Sequence, residues 1–191
     1  VGEIGVEERV GGATEAGQPL TVVGRQLAPG EVAPDFELDH LDDTGLRTLR
    51  LGDTKGLVRV LNVVNSIDTP VCDTQTKKLD WQLDGARLIT VSMDLPFAEA
   101  RWAREACVRH PVVSSHRSED FGRDYGVLIK EWRALQRAIF VIDGSDHVRY
   151  VEYVVDQDQE PDYNAVVDAV MDAIVTTETA NCASDHEGGC C

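Results

Sequence analysis

Leu57-Val58-Arg59-Val60-Leu61-Asn62-Val63-Val64 is a nearly continuous run of β-forming apolar residues. A strand with one face in water alternates apolar and polar side chains, whereas an unbroken run belongs to a strand covered on both faces. The segment therefore reads as the centre of a sheet. Thr69-Pro70-Val71-Cys72 follows it, and 73–83 places Leu79 and Leu83 four apart, as a helix does. Next comes a strand, Arg87-Leu88-Ile89-Thr90-Val91-Ser92. The stretch 96–107 has helical spacing, with Pro96 suited to a helix start. Ala138-Ile139-Phe140-Val141-Ile142 and the run 148–154 flank Asp143-Gly144-Ser145-Asp146, a hairpin signal. Residues 163–175 carry apolar side chains at 166, 167, 170, 171 and 174, an amphipathic helix.

Upstream, Leu20 to Val23 reads as a short strand ending at Gly24, and Pro34 holds Ala33 extended. Residues 1–17 read as an edge hairpin or as partly disordered chain, with 1–12 a flexible N-terminus. Residues 176–191 lack apolar periodicity and read as a flexible, cysteine-containing tail. The body, 13–175, is then one domain. Its order, β-α-β-α, a hairpin and a helix, predicts an α/β fold: a mixed sheet with helices on both faces. A thioredoxin-like arrangement with an N-terminal β-hairpin fits that order.

The 191 residues are 42% apolar and 27% charged, ordinary for a globular protein. Lys plus Arg is 18 against 34 Asp plus Glu, a net charge of −16, which argues against nucleic acid and against an anionic membrane surface. No apolar run approaches the roughly 20 residues of a membrane span. The N-terminus has no basic start followed by an apolar stretch, so no secretory signal is read. Five cysteines without the spacing of a disulfide scaffold read as cytoplasmic thiols.

Cys72 is the first candidate for chemistry. It follows a buried strand by a short turn and sits in the first turn of the next helix, where unpaired N–H groups and the helix dipole favour a thiolate. Thr69, three residues earlier, is close enough in a turn to donate to the sulfur. The bland alternative is an inert buried cysteine. No Cys-x-x-Cys occurs, which excludes a dithiol centre of the thioredoxin type. A lone cysteine preceded by threonine at minus three, on such a fold, points to thiolate attack on the O–O bond of a peroxide.

Ser66-Ile67-Asp68-Thr69-Pro70-Val71-Cys72-Asp73 resembles the active-site segment of bacterial thiol peroxidases, the atypical two-cysteine peroxiredoxins. Pro19-Leu20-Thr21-Val22-Val23-Gly24, Ala33-Pro34-Asp35-Phe36, Asp94-Leu95-Pro96-Phe97-Ala98, Asp124-Tyr125-Gly126-Val127 and Arg137-Ala138-Ile139-Phe140-Val141-Ile142-Asp143 resemble the same family in the same order. The resemblance covers about residues 13 to 175. It implies that Cys72 is the peroxidatic nucleophile, that Thr69 hydrogen-bonds thiolate and peroxide, and that Arg137 sits over the sulfur as a fixed cation. On position alone Arg137 reads as a surface arginine at a strand start. The resemblance further implies hydrogen peroxide and alkyl hydroperoxides as substrates, thioredoxin as reductant, a homodimer packed near the active-site loops, and no organic cofactor or metal.

Two departures stand out. Where the family has proline seven residues before the cysteine, this chain has Asn65, whose amide can hydrogen-bond nearby. The position of the family's resolving cysteine holds Ala103, and the nearest thiol is Cys107. If the helix runs through both, positions 103 and 107 share a face, so Cys107 is the candidate resolving cysteine. The alternatives are that Cys107 is structural in a one-cysteine peroxidase, or that the tail thiols Cys182, Cys190 and Cys191 resolve Cys72 or relay oxidation in a non-enzymatic sensor. The tail's cysteines with His186 match no standard zinc spacing. His110, His116 and His147 read as solvated, and His40 with Asp39, Asp42 and Asp43 as a polar loop. Trp102, Trp132 and Tyr125 read as core or interface.

Overall fold

The computed structural model describes residues 7–186. The apolar run forms β5 (Arg59–Val63), buried along its whole length. It lies inside a seven-stranded sheet with β3 (Glu37–Asp42), β4 (Gly45–Arg50), β6 (Arg87–Ser92), β7 (Val112–Ser114), β10 (Ala138–Ile142) and β11 (Val148–Tyr153), ordered β11-β10-β5-β6-β7-β3-β4. β5, β6 and β7 are parallel neighbours, with Leu61 opposite Ile89 and Val91 opposite Val113. β10 runs antiparallel to β5, and β3 antiparallel to β7. The sheet is therefore mixed, in a thioredoxin-like α/β domain.

Alternation along the strands sorts the core into two faces. Leu61, Val63, Ile89, Val91 and Val113 pack on one side with Phe36, Phe121 and Tyr125. Phe121 belongs to the short helix α3 (Asp120–Asp124). Val58, Val60 and Leu88 pack on the other side against Leu79 of α1 (Pro70–Gln82) and Val166, Val170 and Ala173 of α4 (Tyr163–His186). On that face Val64 and Val112 also meet Trp102 of α2 (Pro96–Glu105).

The N-terminal hairpin pairs β1 (Glu8–Glu15) with β2 (Gln18–Val23). Together with β8 (Leu128–Ile129) and β9 (Ala134–Leu135) it forms a separate four-stranded sheet. Gly24 ends β2 at φ +101°, where an added Cβ would lie 2.1 Å from the Arg123 carbonyl oxygen, so only glycine fits. Arg9 fastens the hairpin by donating to the carbonyls of Gly24 and Gly126.

Four readings need correction. Residues 8–12, read as part of a flexible N-terminus, belong to β1, with Glu8, Arg9 and Val10 paired to β2. The helix expected over 96–107 stops at Glu105, so Cys107 is outside it. The polar stretch around His40 is a strand pair rather than a loop: Leu38 faces Leu49, Asp39 is bonded to Arg117, and Asp42 accepts from Thr44 at the turn. The last helix continues past 175 to His186. Neither glycine nor proline interrupts that stretch, and the Thr176 and Thr179 hydroxyls donate back to the carbonyls of Asp172 and Val175. Cys182 thus falls in the final turns of α4, while Cys190 and Cys191 lie outside the described residues. Among the described residues no helix is long and apolar enough to cross a membrane.

Candidate active site

Cys72 is the third residue of α1, which begins after Thr69 with Pro70 in the first turn. Proline fits there because its missing N–H would be unpaired in any case. The cysteine is fully buried among Val64, Ile67, Trp102 and Val112, with Ala103, Ala106 and Val108 packed against that cluster. Arg137, just ahead of β10, reaches it from the strand beside β5: its Nη1 donates to Sγ at 3.5 Å.

The guanidinium is 1% exposed and tightly held. Nη1 also donates to Gln75 Oε1. Nη2 donates to the Gln157 carbonyl at 2.9 Å and to Asn65 Oδ1 at 3.4 Å. The Arg137 backbone N–H donates to Gln157 Oε1 at 2.9 Å. Every one of these oxygen partners is uncharged, and among the described residues no carboxylate pairs with Arg137. An unpaired ion in a low-dielectric interior costs several kcal/mol.

Asn65, where the resemblance leads one to expect proline, closes the loop by hydrogen bonds. Its Nδ2 donates to the Leu135 carbonyl at 2.6 Å and to Gln157 Oε1 at 2.9 Å. It thereby ties the cysteine loop to β9 and to the residue that anchors Arg137. Thr69 does not bond to sulfur in this structure; its hydroxyl donates to the Ser66 carbonyl at 3.2 Å. It lines a cavity of about 440 Å³ with Pro70, Val71, Trp132, Ala134 and Arg137. Trp132 is therefore a wall of this cavity, while Trp102 and Tyr125 are core.

Asp94, two residues past the end of β6, was missed by sequence reasoning. It accepts from Ser66 Oγ at 3.0 Å, the Ile67 N–H at 2.8 Å and Ser92 Oγ at 2.8 Å, fixing the turn that leads to Thr69. Ser92 Oγ is also 2.8 Å from Oε1 of Glu99, which is fully buried in α2. Burial, reinforced by the nearby Asp94 charge and opposed by Ser92, pushes the Glu99 carboxyl up to about 9. Ser92 Oγ thus lies between the Asp94 carboxylate and the Glu99 carboxyl, and also accepts from the Asp94 N–H at 3.0 Å.

Cys107 is exposed and occupies a left-handed conformation, φ +56°. Its N–H bonds to the Arg104 carbonyl at 3.3 Å, and the Val108 N–H bonds to the Ala103 carbonyl at 2.9 Å. These are the two bonds of a Schellman motif, with Cys107 where glycine usually stands. The motif turns the chain out of the helix, so Cys107 neither shares a face with position 103 nor packs on the inner side. Ala103 keeps the contact with the Cys72 cluster. Both thiols are free.

The solvated reading of His110 is also overturned. Its side chain is 6% exposed, held between Asp80 Oδ1 at 2.7 Å and Thr90 Oγ1 at 2.8 Å. The charged residues flanking it in sequence hid this, because burial here comes from α1 and β6. His116 is half-buried against Ser114 Oγ at 2.9 Å.

The redoxin family model matches residues 28–167 of this chain. A thiol peroxidase of Halalkalibacterium halodurans is 44% identical over 165 residues, covering 84% of this chain and 98% of its own. One from Streptococcus pneumoniae is 42% identical over 160 residues, covering 82% and 96%. Among solved structures, a peroxiredoxin-like protein from Aquifex aeolicus superposes with a TM-score of 0.77 at 36% identity, covering 84% of this chain and 96% of that one. With a cysteine at a helix N-terminus, a buried cation on its sulfur and relatives of this kind along most of its length, the chain belongs to the redoxin family and, within it, to the thiol peroxidases.

Proposed function

We propose that the protein reduces hydroperoxides through Cys72, Arg137 and Thr69. The observation that carries this reading is the buried Arg137 guanidinium, whose described oxygen partners are all neutral and which donates to Sγ at 3.5 Å. A thiolate on Cys72 is the counter-ion this cation lacks. The thiolate attacks one peroxide oxygen: an S–O bond forms, the O–O bond breaks, and the other oxygen leaves as hydroxide or alkoxide and takes up a proton. Cys72 becomes a sulfenic acid. Arg137 donates to the negative charge as it passes from sulfur to the leaving oxygen. Thr69, in the wall of the same cavity, accepts the hydroperoxide O–H through a hydroxyl lone pair while donating to Ser66. Pro70, Val71, Trp132 and Ala134 give that cavity an apolar side suited to the organic group of an alkyl hydroperoxide.

A second thiol then condenses with the sulfenic acid, forming an S–S bond and releasing water. Cys107 is assigned this role. The last turn of α2 must open to bring it to Cys72, and the left-handed strain at Cys107 is released when it does. A dithiol of the thioredoxin class supplies two electrons and restores both thiols. The cycle is placed in the cytoplasm and in a homodimer, in keeping with the family. A one-cysteine cycle is the second reading, favoured by the exposure of Cys107 and by alanine at 103.

The test is one equivalent of cumene hydroperoxide on the reduced protein, thiol blocking, and peptide mass mapping. A Cys72–Cys107 peptide supports the two-cysteine cycle. Cys72 trapped as sulfenic acid, with Cys107 blocked, selects the one-cysteine cycle. Unmodified Cys72 overturns peroxide reduction altogether.

A further inference from the structure

We infer that His110, paired with Asp80, is a positioning residue for Arg137, acting through a buried chain of hydrogen bonds that runs Thr90–Asn62–Gln75. The inference rests on the reading that Cys72 and Arg137 form the reactive pair.

The direction of the chain follows from its charged end. A guanidinium can only donate, so Gln75 must present Oε1 to Arg137. Its Nε2 then donates to Asn62 Oδ1. Asn62 is left with its two amide hydrogens, which go to Thr76 Oγ1 at 3.0 Å and Thr90 Oγ1 at 2.9 Å. Thr90, accepting from Asn62, has its own hydrogen for His110 Nε2 at 2.8 Å. That requires a lone pair on Nε2, so the ring proton is on Nδ1, which donates to Asp80 Oδ1 at 2.7 Å. Arg109 holds Asp80 from outside through its backbone N–H and its guanidinium.

Gln75, Asn62, Thr76 and Thr90 are all fully buried. They come from α1, β5 and β6, so the chain runs between α1 and the sheet, from the sulfur to the far half of α1. Burial, opposed by Asp80 and assisted by Arg87 and Arg109, holds the His110 ring below its usual range and keeps Nε2 an acceptor. Thr90 is too enclosed, and too fully engaged by Asn62, to be a nucleophile activated by the histidine. What the Asp80–His110–Thr90 arrangement does is orient the Asn62 and Gln75 amides, and through them the guanidinium nitrogen that meets Sγ.

The test uses the full chain and reads the rate of Cys72 alkylation by iodoacetamide at pH 7, resolved by peptide mass. His110→Leu and Thr90→Val each remove the acceptor or the hydroxyl, and each lowers the rate about fivefold, the equivalent of one net hydrogen bond. His110→Gln places an amide oxygen where Nε2 stood and restores the rate to within about twofold of the unaltered protein. Equal rates in all four proteins overturn the inference, and so does His110→Gln reacting as slowly as His110→Leu. A measurement on the unaltered protein needs no variant to fold: the ¹⁵N shifts of the His110 ring should report a proton on Nδ1 alone, and a proton on Nε2 refutes the chain's direction. Alkylation consumes no peroxide. If the protein fails to turn over hydroperoxide yet shows these rates, the peroxidase reading fails and the positioning role stands.

Discussion

Replacing Cys107 by glycine should stabilise the protein, although it removes a side chain and adds no contact. Cys107 sits at φ +56° just past the end of α2, and its side chain is exposed. A residue with a Cβ pays about 1–2 kcal/mol for that backbone conformation. Glycine avoids this but loses about 0.5–1 kcal/mol to the greater freedom of its unfolded chain. The difference leaves a net gain of about 0–1.5 kcal/mol, with about 0.75 at the midpoints. The Schellman bonds from residues 107 and 108 to Arg104 and Ala103 are made by backbone alone, so they survive the change. Cys107→Ser is the control: it removes the thiol, keeps the Cβ and the strain, and leaves stability nearly unchanged. In urea unfolding of the reduced proteins, the glycine variant should show a higher midpoint than the serine variant with the same slope, and a melting temperature about 1–4 °C higher. A glycine variant no more stable than the serine variant refutes the argument that position 107 stores backbone strain. The last turn of α2 would then have no stored strain to ease its opening.

The other predictions concern the sulfur site and its supports. Arg137→Met should lower the second-order rate with hydroperoxide by about 100-fold or more, since it deletes the donor to sulfur and leaving oxygen; stopped-flow rates within tenfold of the unaltered protein, with circular dichroism unchanged, contradict this. Asn65→Ala should slow the reaction by about fivefold, because Gln157 loses a partner and Arg137 loses an acceptor; unchanged rates would show that the loop holds without it. Glu99 has a folded value of about 9 against an ordinary 4.5, so the native state binds the extra proton between these values. Stability conferred by that proton is complete below about pH 4.5 and is lost progressively as pH rises toward 9, at up to about 1.4 kcal/mol per unit. Glu99→Gln should therefore gain stability relative to the unaltered protein as pH goes from 5 to 8; urea midpoints that change in parallel over that range would show Glu99 to be ionised in the fold.

Local order decided how far the sequence could be read. The apolar runs of β5, β6 and β10 announce buried strands because a covered strand has no polar face to show. Pro70 and Pro96 mark helix starts by the bond they cannot donate. Cys72 was legible as a reactive candidate because its surroundings, a strand end and a first helical turn, lie within a dozen residues. The short β7, β8, β9 and α3 gave no such signal, being too brief for any periodicity to build up.

Arg137 is 65 residues from Cys72 along the chain, and its place over the sulfur came from family resemblance rather than from spacing. Gln157, Asp94 and His110 were invisible for the same reason: their partners are supplied by packing between elements distant in sequence. Cys107 carries a further lesson. A left-handed residue beyond a helix is usually betrayed by glycine, and a cysteine there gives no warning, so helical spacing alone runs past the true end of α2. Sequence by itself determined that β5, β6 and β10 are buried, where α1, α2 and α4 begin and which sulfur stands at a helix N-terminus, since these follow from neighbours along the chain. Only the tertiary structure decided which cation faces that sulfur, which amides hold it and which histidine is enclosed, because burial and hydrogen-bond partnership are properties of the packed sheet and its helices together.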